Sequence, residues 1–324
     1  MRPQSLLTAS AIAAVLTGCS GAPPPGASSA GYAPVDSASQ AGARSNGSWM
    51  APEAKSIDLL YVSDLNTGDV DVYSYPAAKP EGKLKGFSAP HGECVDAAGD
   101  VFITSGNAGE ILEYAHGGTK PINTLSDPGY FPKACSVDPK TGDLAVMNLP
   151  QTALSGDVAI YKHASGKPKS YTSSNLFFYY FDGYDSNGNL FVDGTAMDGR
   201  TFGLAVLVAG GKKFTPVSVN HEFVFPGGVQ WVGQTLVVGD QVSLTGPSTI
   251  YKFSVKGNTA SETGSIPLTN SCDVLQFWIV QNRMVAANTC LPTVMYFKYP
   301  AGGKATRVIG HTLSEPIGVT VSMK

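Results

Sequence analysis

A strand–turn–strand pattern recurs six times along this chain of 324 residues and limits its fold more than any other feature. The clearest copies are Val95–Ile103, Val137–Val146 and Tyr184–Val192, in which apolar residues flank an Asp/Gly turn. Such a turn between two apolar runs is typical of a β-hairpin. The copies return about every 40 to 50 residues, a spacing that holds about four strands and is typical of β-propeller blades. The pattern therefore predicts an all-β, six-bladed β-propeller.

The two ends of the repeat predict how this propeller closes. The first blade begins with Leu59–Asp64, which has the pattern of a second strand. The chain ends with Glu315–Ser322, which has the pattern of a first strand, like Pro90–Asp96. We therefore expect the C-terminal strand to join the N-terminal blade, which leaves no large open sheet edge.

The strand–Asp–Gly–strand repeats, with Pro-x-Gly before the strand as in Pro90-His91-Gly92, resemble those of NHL-repeat and gluconolactonase-like six-bladed propellers. The resemblance covers roughly Ile57–Met323, and the chain also resembles bacterial propeller lipoproteins. This resemblance implies the fold without implying one activity, because the architecture carries lactonases, lyases, sugar dehydrogenases and binding modules.

Residues 1–18 have the features of a secretory signal peptide: Arg2 is followed by the apolar run Leu6–Leu16. That run is shorter than the roughly 20 apolar residues of a membrane-spanning helix. The segment Leu16-Thr17-Gly18-Cys19 resembles the bacterial lipobox, which implies cleavage before Cys19 and its lipidation. The lipid would anchor the protein at the bacterial cell envelope, and Ser20 favours the outer membrane or cell surface. The alternative is an ordinary signal peptide with an incidental cysteine.

The rest of the chain divides by composition into a tether and one domain. Residues 19–55 are rich in Ala, Gly, Ser and Pro and contain few large apolar side chains, so we expect a disordered tether. Residues 56–324 are predicted to form the propeller. The net charge of −3 and the absence of a basic cluster argue against a general nucleic-acid binder. We expect a monomer.

Four cysteines remain besides Cys19, and an even number in an exported chain predicts disulfides. Cys94 and Cys135 fall on first strands of adjacent blades, one register position apart, so their side chains point either towards or away from each other. Cys272 and Cys290 fall at the same end of one blade. We predict the pairs 94–135 and 272–290; the alternative is two pairs of buried thiols.

Catalytic candidates lie where first strands begin. His91, with Glu93 and Asp182 just inside the channel, could form an acid–base pair. The alternative for His91 is a polar surface residue. The aromatic run Phe177–Phe181 enters another first strand, where it could stack on sugars or pack between blades.

Metal candidates lie where second strands end. The resemblance to lactonase-like propellers implies a divalent cation such as Ca²⁺, held by carboxylate and amide oxygens. The residues with such oxygens at these positions are Asp64, Asn148, Asp193, Asp240 and Asn288. The first-strand segments of this chain lack the Asn of that family, however. The alternative role for these five residues is to accept backbone hydrogen bonds in turns.

These features predict a tethered, non-catalytic binding or scaffolding module without a cofactor. Its partner would be a protein or a glycan, contacted by loops between strands. The predicted loops are Ser105–Gly109, Leu149–Gly156, Thr195–Arg200 and Gln241–Pro247. The alternative is a metal-dependent lactonase or lyase with its site at the top of the central channel.

Overall fold

The computed structural model describes residues 47–153, 155–241 and 247–324. The predicted signal peptide, Cys19 and residues 20–46 of the predicted tether lie outside the described residues, as does most of the loop 241–247. The described chain is all-β: 57% of it lies in strands, and 4% is helical. It contains no helix that is long and apolar enough to cross a membrane.

Strands β1 to β26 form five hydrogen-bonded sheets within the described residues. The first sheet contains, in spatial order, β1 (Trp49–Met50), β4 (Pro80–Lys85), β3 (Asp69–Ser74), β2 (Leu59–Asp64) and β26 (Pro316–Ser322). The second contains β5 (Pro90–Val95), β6 (Val101–Ser105), β7 (Glu110–Tyr114) and β8 (Pro121–Ser126). The third contains β9 (Tyr130–Val137), β10 (Leu144–Pro150), β11 (Asp157–Tyr161) and β12 (Lys169–Tyr171).

The fourth sheet contains β13 (Phe178–Tyr184), β14 (Leu190–Thr195), β15 (Phe202–Leu207) and β16 (Thr215–Pro216). The fifth has nine strands. They are β17 (Ser218–Val219), β18 (Pro226–Val232), β19 (Thr235–Asp240), β20 (Thr249–Lys256), β21 (Thr259–Thr269), β22 (Val274–Val280), β23 (Arg283–Asn288), β24 (Thr293–Lys298) and β25 (Gly302–Ile309). Short 3-10 turns occupy Pro52–Ser56, Gly106–Ala108 and Lys162–Ala164.

Strand β26 brings the end of the chain into the first sheet. It pairs antiparallel along β2, from Leu59 opposite Ser322 to Asp64 opposite Pro316. All seven residues of β26 are buried. The C-terminal segment is therefore a buried strand, and it joins the N-terminal sheet as the sequence predicts.

Strands β5, β9, β13, β18, β22 and β26, here called the inner strands, contact one another in that order, and β26 also contacts β5. Glycines allow this close approach. A Cβ atom at Gly318 would lie 2.0 Å from the carbonyl oxygen of His91, and one at Gly92 would lie 2.7 Å from that of Lys133. Since neither contact leaves room for a side chain, these glycines fix how closely the inner strands pack.

Apolar side chains fill the spaces between the sheets. In one cluster, Val62 of β2 and Val319 of β26 pack with Val285 of β23 and Val294 of β24. All four are completely buried. Full burial of a valine stabilises the fold by about 1.5–3 kcal/mol, so these contacts hold neighbouring sheets together.

Two disulfides link parts of the fold that are close in space. Cys94 of β5 bonds to Cys135 of β9, with Cα atoms 5.6 Å apart. Cys272 bonds to Cys290, with Cα atoms 5.7 Å apart, and joins the segment before β22 to the turn after β23. These are the two pairs predicted from the sequence. In the first pair, the register places the two thiols on facing sides.

The folded part begins before the predicted boundary at residue 56. Trp49–Met50 forms strand β1, which pairs with β4. Ala54, in the following 3-10 turn, is completely buried. Residues 49–55 therefore belong to the β-domain, because a strand pairing and an apolar contact hold them against the first sheet.

Candidate functional site

The inner strands define two ends of the molecule. We call the end at which they begin the mouth; it is marked by His91, Lys133 and Tyr180. The opposite end, marked by Val95 and Tyr184, is called the base. Each second strand runs antiparallel to its inner strand, so the polar residues at the ends of the second strands also lie at the mouth.

Three of the five predicted metal ligands bind backbone N–H groups of nearby loops. The Asp64 carboxylate accepts hydrogen bonds from the N–H groups of residues 67, 314 and 315, at 3.2, 2.6 and 3.1 Å. Asp240 accepts them from residues 224 and 225, at 2.9–3.1 Å. The Asn288 Oδ1 accepts one from the N–H of residue 272 at 2.6 Å. These side chains therefore fasten the loop that leads into an inner strand.

The other two predicted ligands are buried between strands. Asp193 Oδ1 accepts a 2.9 Å hydrogen bond from the Phe181 N–H, and burial holds the pKa of Asp193 well above its usual range. The Asn148 Nδ2 donates to Asp127 Oδ2 and Asp157 Oδ1, at 2.6 and 2.8 Å. No hydrogen bond among the described residues joins any two of the five.

Within the described ranges, one group of three acidic side chains places its carboxylate oxygens within 4.8 Å of one another. It consists of Asp96, Asp100 and Glu113, none of which belongs to the predicted set. Asp96 Oδ1 also accepts the N–H groups of Ala98 and Asp100 in the hairpin turn. Asp64, Asp240 and Asn288 thus use their oxygens for hydrogen bonds to loop backbone, the alternative role that the sequence suggests. Asp193 accepts its bond from a strand residue instead, and Asn148 donates through its amide nitrogen.

The three catalytic candidates occupy separate environments. His91 is buried with its ring edge-on to Phe131, centroids 5.0 Å apart, and burial and nearby Lys133 hold its pKa well below the usual value. Glu93 Oε1 accepts a 2.6 Å hydrogen bond from Ser63, and burial raises the pKa of Glu93 to about 8.

Asp182 accepts a hydrogen bond from the Ser136 hydroxyl, and burial raises its pKa to about 8. In the part of the chain that the structure describes, no hydrogen bond connects His91 to either carboxyl group. The three side chains are on inner strands as predicted, but they do not meet as an acid–base pair in this structure.

Lys133 lies at the mouth among aromatic rings. Its Nζ lies 5.3 Å from the centroid of the Tyr180 ring and 5.5 Å from that of Phe181. Burial lowers the pKa of Lys133 to about 8, although Asp273 and Asp193 act in the opposite direction. An aromatic surrounding attracts the ammonium group through the ring faces.

Four aromatic side chains continue from this lysine and are here called the mouth cluster: Phe177, Phe178, Tyr180 and Phe225. The ring centroids of Phe177 and Phe178 are 4.6 Å apart, those of Phe178 and Tyr180 6.4 Å, and those of Tyr180 and Phe225 5.2 Å. Phe225 is 36% exposed, and neighbouring Val224 is 59% exposed. The mouth therefore presents apolar and aromatic surface to solvent.

The sequence indicates part of this cluster and misses the rest. The run Phe177–Phe181 stands out as a pattern, whereas Phe225 is a single aromatic residue before Pro226. Alignment of Pro226 with Pro90 as inner-strand starts places Phe225 at the mouth. This alignment is the sequence feature that could place Phe225 in the cluster, but only the folded chain shows that Phe225 contacts Tyr180.

A cavity of about 240 Å³ lies at the base between the inner strands. Asp182, Tyr184, Trp231 and Trp278 contribute to its wall, together with the disulfide between Cys94 and Cys135. Trp231 also packs on Phe191, with ring centroids 5.0 Å apart.

No protein-family model and no curated protein matches the chain. Solved structures do. A chain of the nidogen/laminin complex has a TM-score of 0.67 at 12% identity and aligns over 82% of this chain and 98% of its own length. A protein of unknown function from Bacteroides caccae has a TM-score of 0.61 at 10% identity, over 83% of this chain and 100% of its own. These similarities concern the fold alone, and they identify it as β-propeller-like.

Proposed function

We propose that the protein is a lipid-anchored, non-catalytic binding module of the bacterial cell envelope that holds a protein or glycan partner at its mouth. The observation that carries this proposal is the mouth cluster, a partly exposed aromatic surface on a rigid frame. Aromatic side chains offer large contact area at low cost in conformational entropy and are enriched at interfaces. Aromatic faces also stack on sugars, so both partner classes fit this surface.

The proposed frame is a closed six-bladed propeller of the NHL-repeat type. Six inner strands contact one another in a closed order, which supports six blades. The nine-stranded sheet then counts as two blades, joined where β21 pairs with β25 at Leu268 and Gly303. Strand β26 would complete the first blade. Such a frame has short protected edges and holds its loops in fixed positions.

Loop fastening supports the rigidity that a binding surface needs. Asp240 binds the backbone of Val224 and Phe225, and Asp193 binds the backbone of Phe181. Exposed Met197 and Leu291 lie in other loops at the same end. A chain of the nidogen/laminin complex has a similar fold, so this architecture also occurs in a protein–protein complex.

The mouth can be tested by photo-crosslinking and by binding assays with the full chain. A photoreactive amino acid at position 225 should capture a discrete envelope protein in living cells, or the purified chain should select specific sugars on a glycan array. Phe225→Ala should weaken that binding by about tenfold or more, as for an interface anchor. Ile122→Ala, which removes an exposed apolar side chain from β8, is the matched control and should leave binding unchanged. Equal effects of both variants would reject the mouth as the binding surface.

The anchor has its own test. Cells fed an alkyne-labelled fatty acid should label the wild-type protein and place it in the membrane fraction. Cys19→Ser should abolish both results, because the thiol that carries the lipid is absent. Labelling that persists in this variant would contradict lipidation at Cys19.

A metal-dependent lactonase or lyase is the second candidate, because buried ionisable groups with shifted pKa values gather at functional sites. His91, Lys133 and Asp193 are such groups at the mouth. The test is metal analysis after dialysis against Ca²⁺ and turnover of a lactone panel. Stoichiometric metal and turnover, both lost in Asp193→Ala, would favour the enzyme over the binding module.

A further inference from the structure

The base cavity holds a buried carboxyl group that uses only part of its hydrogen-bonding capacity. Asp182 is 5% exposed and lines the cavity. One of its oxygens accepts from Ser136, whereas Oδ1 has no partner among the described residues. A buried carboxylate oxygen without a partner is costly, and a ligand or an ordered water would relieve that cost.

The rest of the cavity wall favours a positively charged ligand. Asp182 and Tyr184 are the titratable side chains among the lining residues, and no Lys, Arg or His lines the cavity. Trp231, Trp278 and Tyr184 add aromatic rings, whose faces attract cations. The Trp231 indole N–H is buried and has no partner in the described structure, so it can donate to a ligand.

The wall also offers a route from solvent. It extends from buried Asp182 to exposed Pro139, at the end of the inner strands opposite to the mouth cluster. A volume of about 240 Å³ suits a small organic ion rather than a polymer. The amide groups of Gln230 and Gln276 are occupied, because they bind backbone groups of other inner strands.

We infer that the base cavity binds a small quaternary ammonium ion that carries a hydrogen-bond acceptor, held through its charge by the Asp182 carboxylate and by the rings of Trp231 and Trp278. The ammonium group would lie against Asp182 Oδ1, and the acceptor would meet the Trp231 N–H. This site is independent of the proposed partner at the mouth, since the two lie at opposite ends of the inner strands.

Binding should release a proton. Burial keeps Asp182 protonated in the free protein up to about pH 8. A cation in the cavity stabilises the carboxylate, so one proton leaves to solvent as one positive charge enters. The titratable groups that interact with Asp182 are Asp193 of β14 and Tyr184 of β13, and burial raises the pKa of both. Strand β9 contributes the neutral Ser136.

The test is titration of the full chain, in a non-ionic detergent, with choline and with the uncharged alcohol in which carbon replaces the choline nitrogen. Calorimetry and tryptophan fluorescence at about pH 8.5, where Asp182 is largely ionised, should show saturable choline binding. Trp49→Phe removes the background signal of the third tryptophan, on β1. Choline should bind at least about tenfold more tightly than the alcohol, and less tightly as the pH falls.

Asp182→Asn keeps the size of the side chain and an acceptor for Ser136. It should weaken choline binding by about tenfold or more while leaving the weak binding of the alcohol unchanged, which also reports an intact cavity. Glu113→Gln, a carboxyl-to-amide change outside the cavity, should leave choline binding unchanged. Absence of saturable choline binding, equal affinity for the two probes, or wild-type choline affinity in Asp182→Asn would each overturn the inference.

Discussion

Asp64 and Ser314 lie 250 positions apart in the chain, yet the Asp64 Oδ2 accepts a 2.6 Å hydrogen bond from the Ser314 N–H. The other carboxylate oxygen accepts from Glu315 at 3.1 Å and from Thr67 at 3.2 Å. Asp64 is completely buried at the end of β2. One side chain thus fastens the segment that leads into β26, in addition to the strand pairing itself.

Replacing Asp64 with alanine should therefore destabilise the whole domain. Three backbone N–H groups would lose their acceptor, and a buried donor without a partner costs about 1–3 kcal/mol. We expect the free energy of unfolding in urea, followed by tryptophan fluorescence, to fall by that amount or more. Asp198→Ala is the control, because Asp198 makes similar bonds to Arg200 and Thr201 in an exposed loop. Equal losses in the two variants would show that fastening of the C-terminal segment is unimportant.

Asp240 should act on the mouth cluster rather than on the whole fold. In Asp240→Ala, the N–H groups of Val224 and Phe225 lose their acceptors, so their hydrogen exchange should become at least about tenfold faster. Asp240→Asn keeps one acceptor oxygen and should restore part of the protection. Exchange of the amides in β26 should not change. Unaltered exchange at 224 and 225 in the alanine variant would show that Asp240 does not hold this loop.

The sequence predicts local features of this molecule well and long-range side-chain contacts poorly. Two predicted features depend only on residues that are neighbours in the chain. They are the hairpin with its turn at Asp96–Gly99 and the first-strand pattern of residues 315–322, and the structure has strands at both places. Glu93 accepts a hydrogen bond from Ser63, and Asp182 accepts one from Ser136. Each serine lies on a different strand from its partner, so the spacing of residues along the chain does not reveal these contacts. Side chains alternate between the two faces of a strand, but this alternation alone does not show whether Cys94 and Cys135 face each other. Their orientation is decided by how the inner strands pack.

Buried carboxyl groups should make the domain less stable as the pH rises from about 6.5 to 8. The pKa of Glu93 is about 8 in the folded protein, against 4.5 in a model peptide, so the folded state binds more protons over this range. Stability then falls with increasing pH, by about 1–2 kcal/mol for Glu93. Asp182 contributes with the same sign. His91, with its lowered pKa, has its main effect below about pH 6.5.

The contribution of Glu93 can be isolated with Glu93→Gln, which keeps an acceptor for Ser63 and cannot ionise. The free energy of unfolding, measured with denaturant at pH 6.5 and at pH 8, should fall less between these two pH values in this variant than in the wild type. The two falls should differ by about 1–2 kcal/mol. Glu222→Gln, at an exposed position, should retain the wild-type difference. A Glu93→Gln protein with the full pH dependence would show that Glu93 ionises normally in the folded state.

Lys133 should titrate well below the usual pKa of a lysine. Burial among Tyr180 and Phe181 lowers its pKa to about 8, against 10.5 in a model peptide. After reductive methylation with labelled formaldehyde, one dimethyl-lysine NMR signal should shift with a midpoint near pH 8, and Lys133→Met should remove that signal.

Because the folded protein binds fewer protons than the unfolded chain between about pH 8 and 10.5, Lys133 should make stability rise with pH over that range. The methionine variant should lose this rise and be at least as stable as the wild type at pH 7, since it buries no charge. A midpoint near the ordinary lysine value would mean that the ammonium group at the mouth is fully solvated.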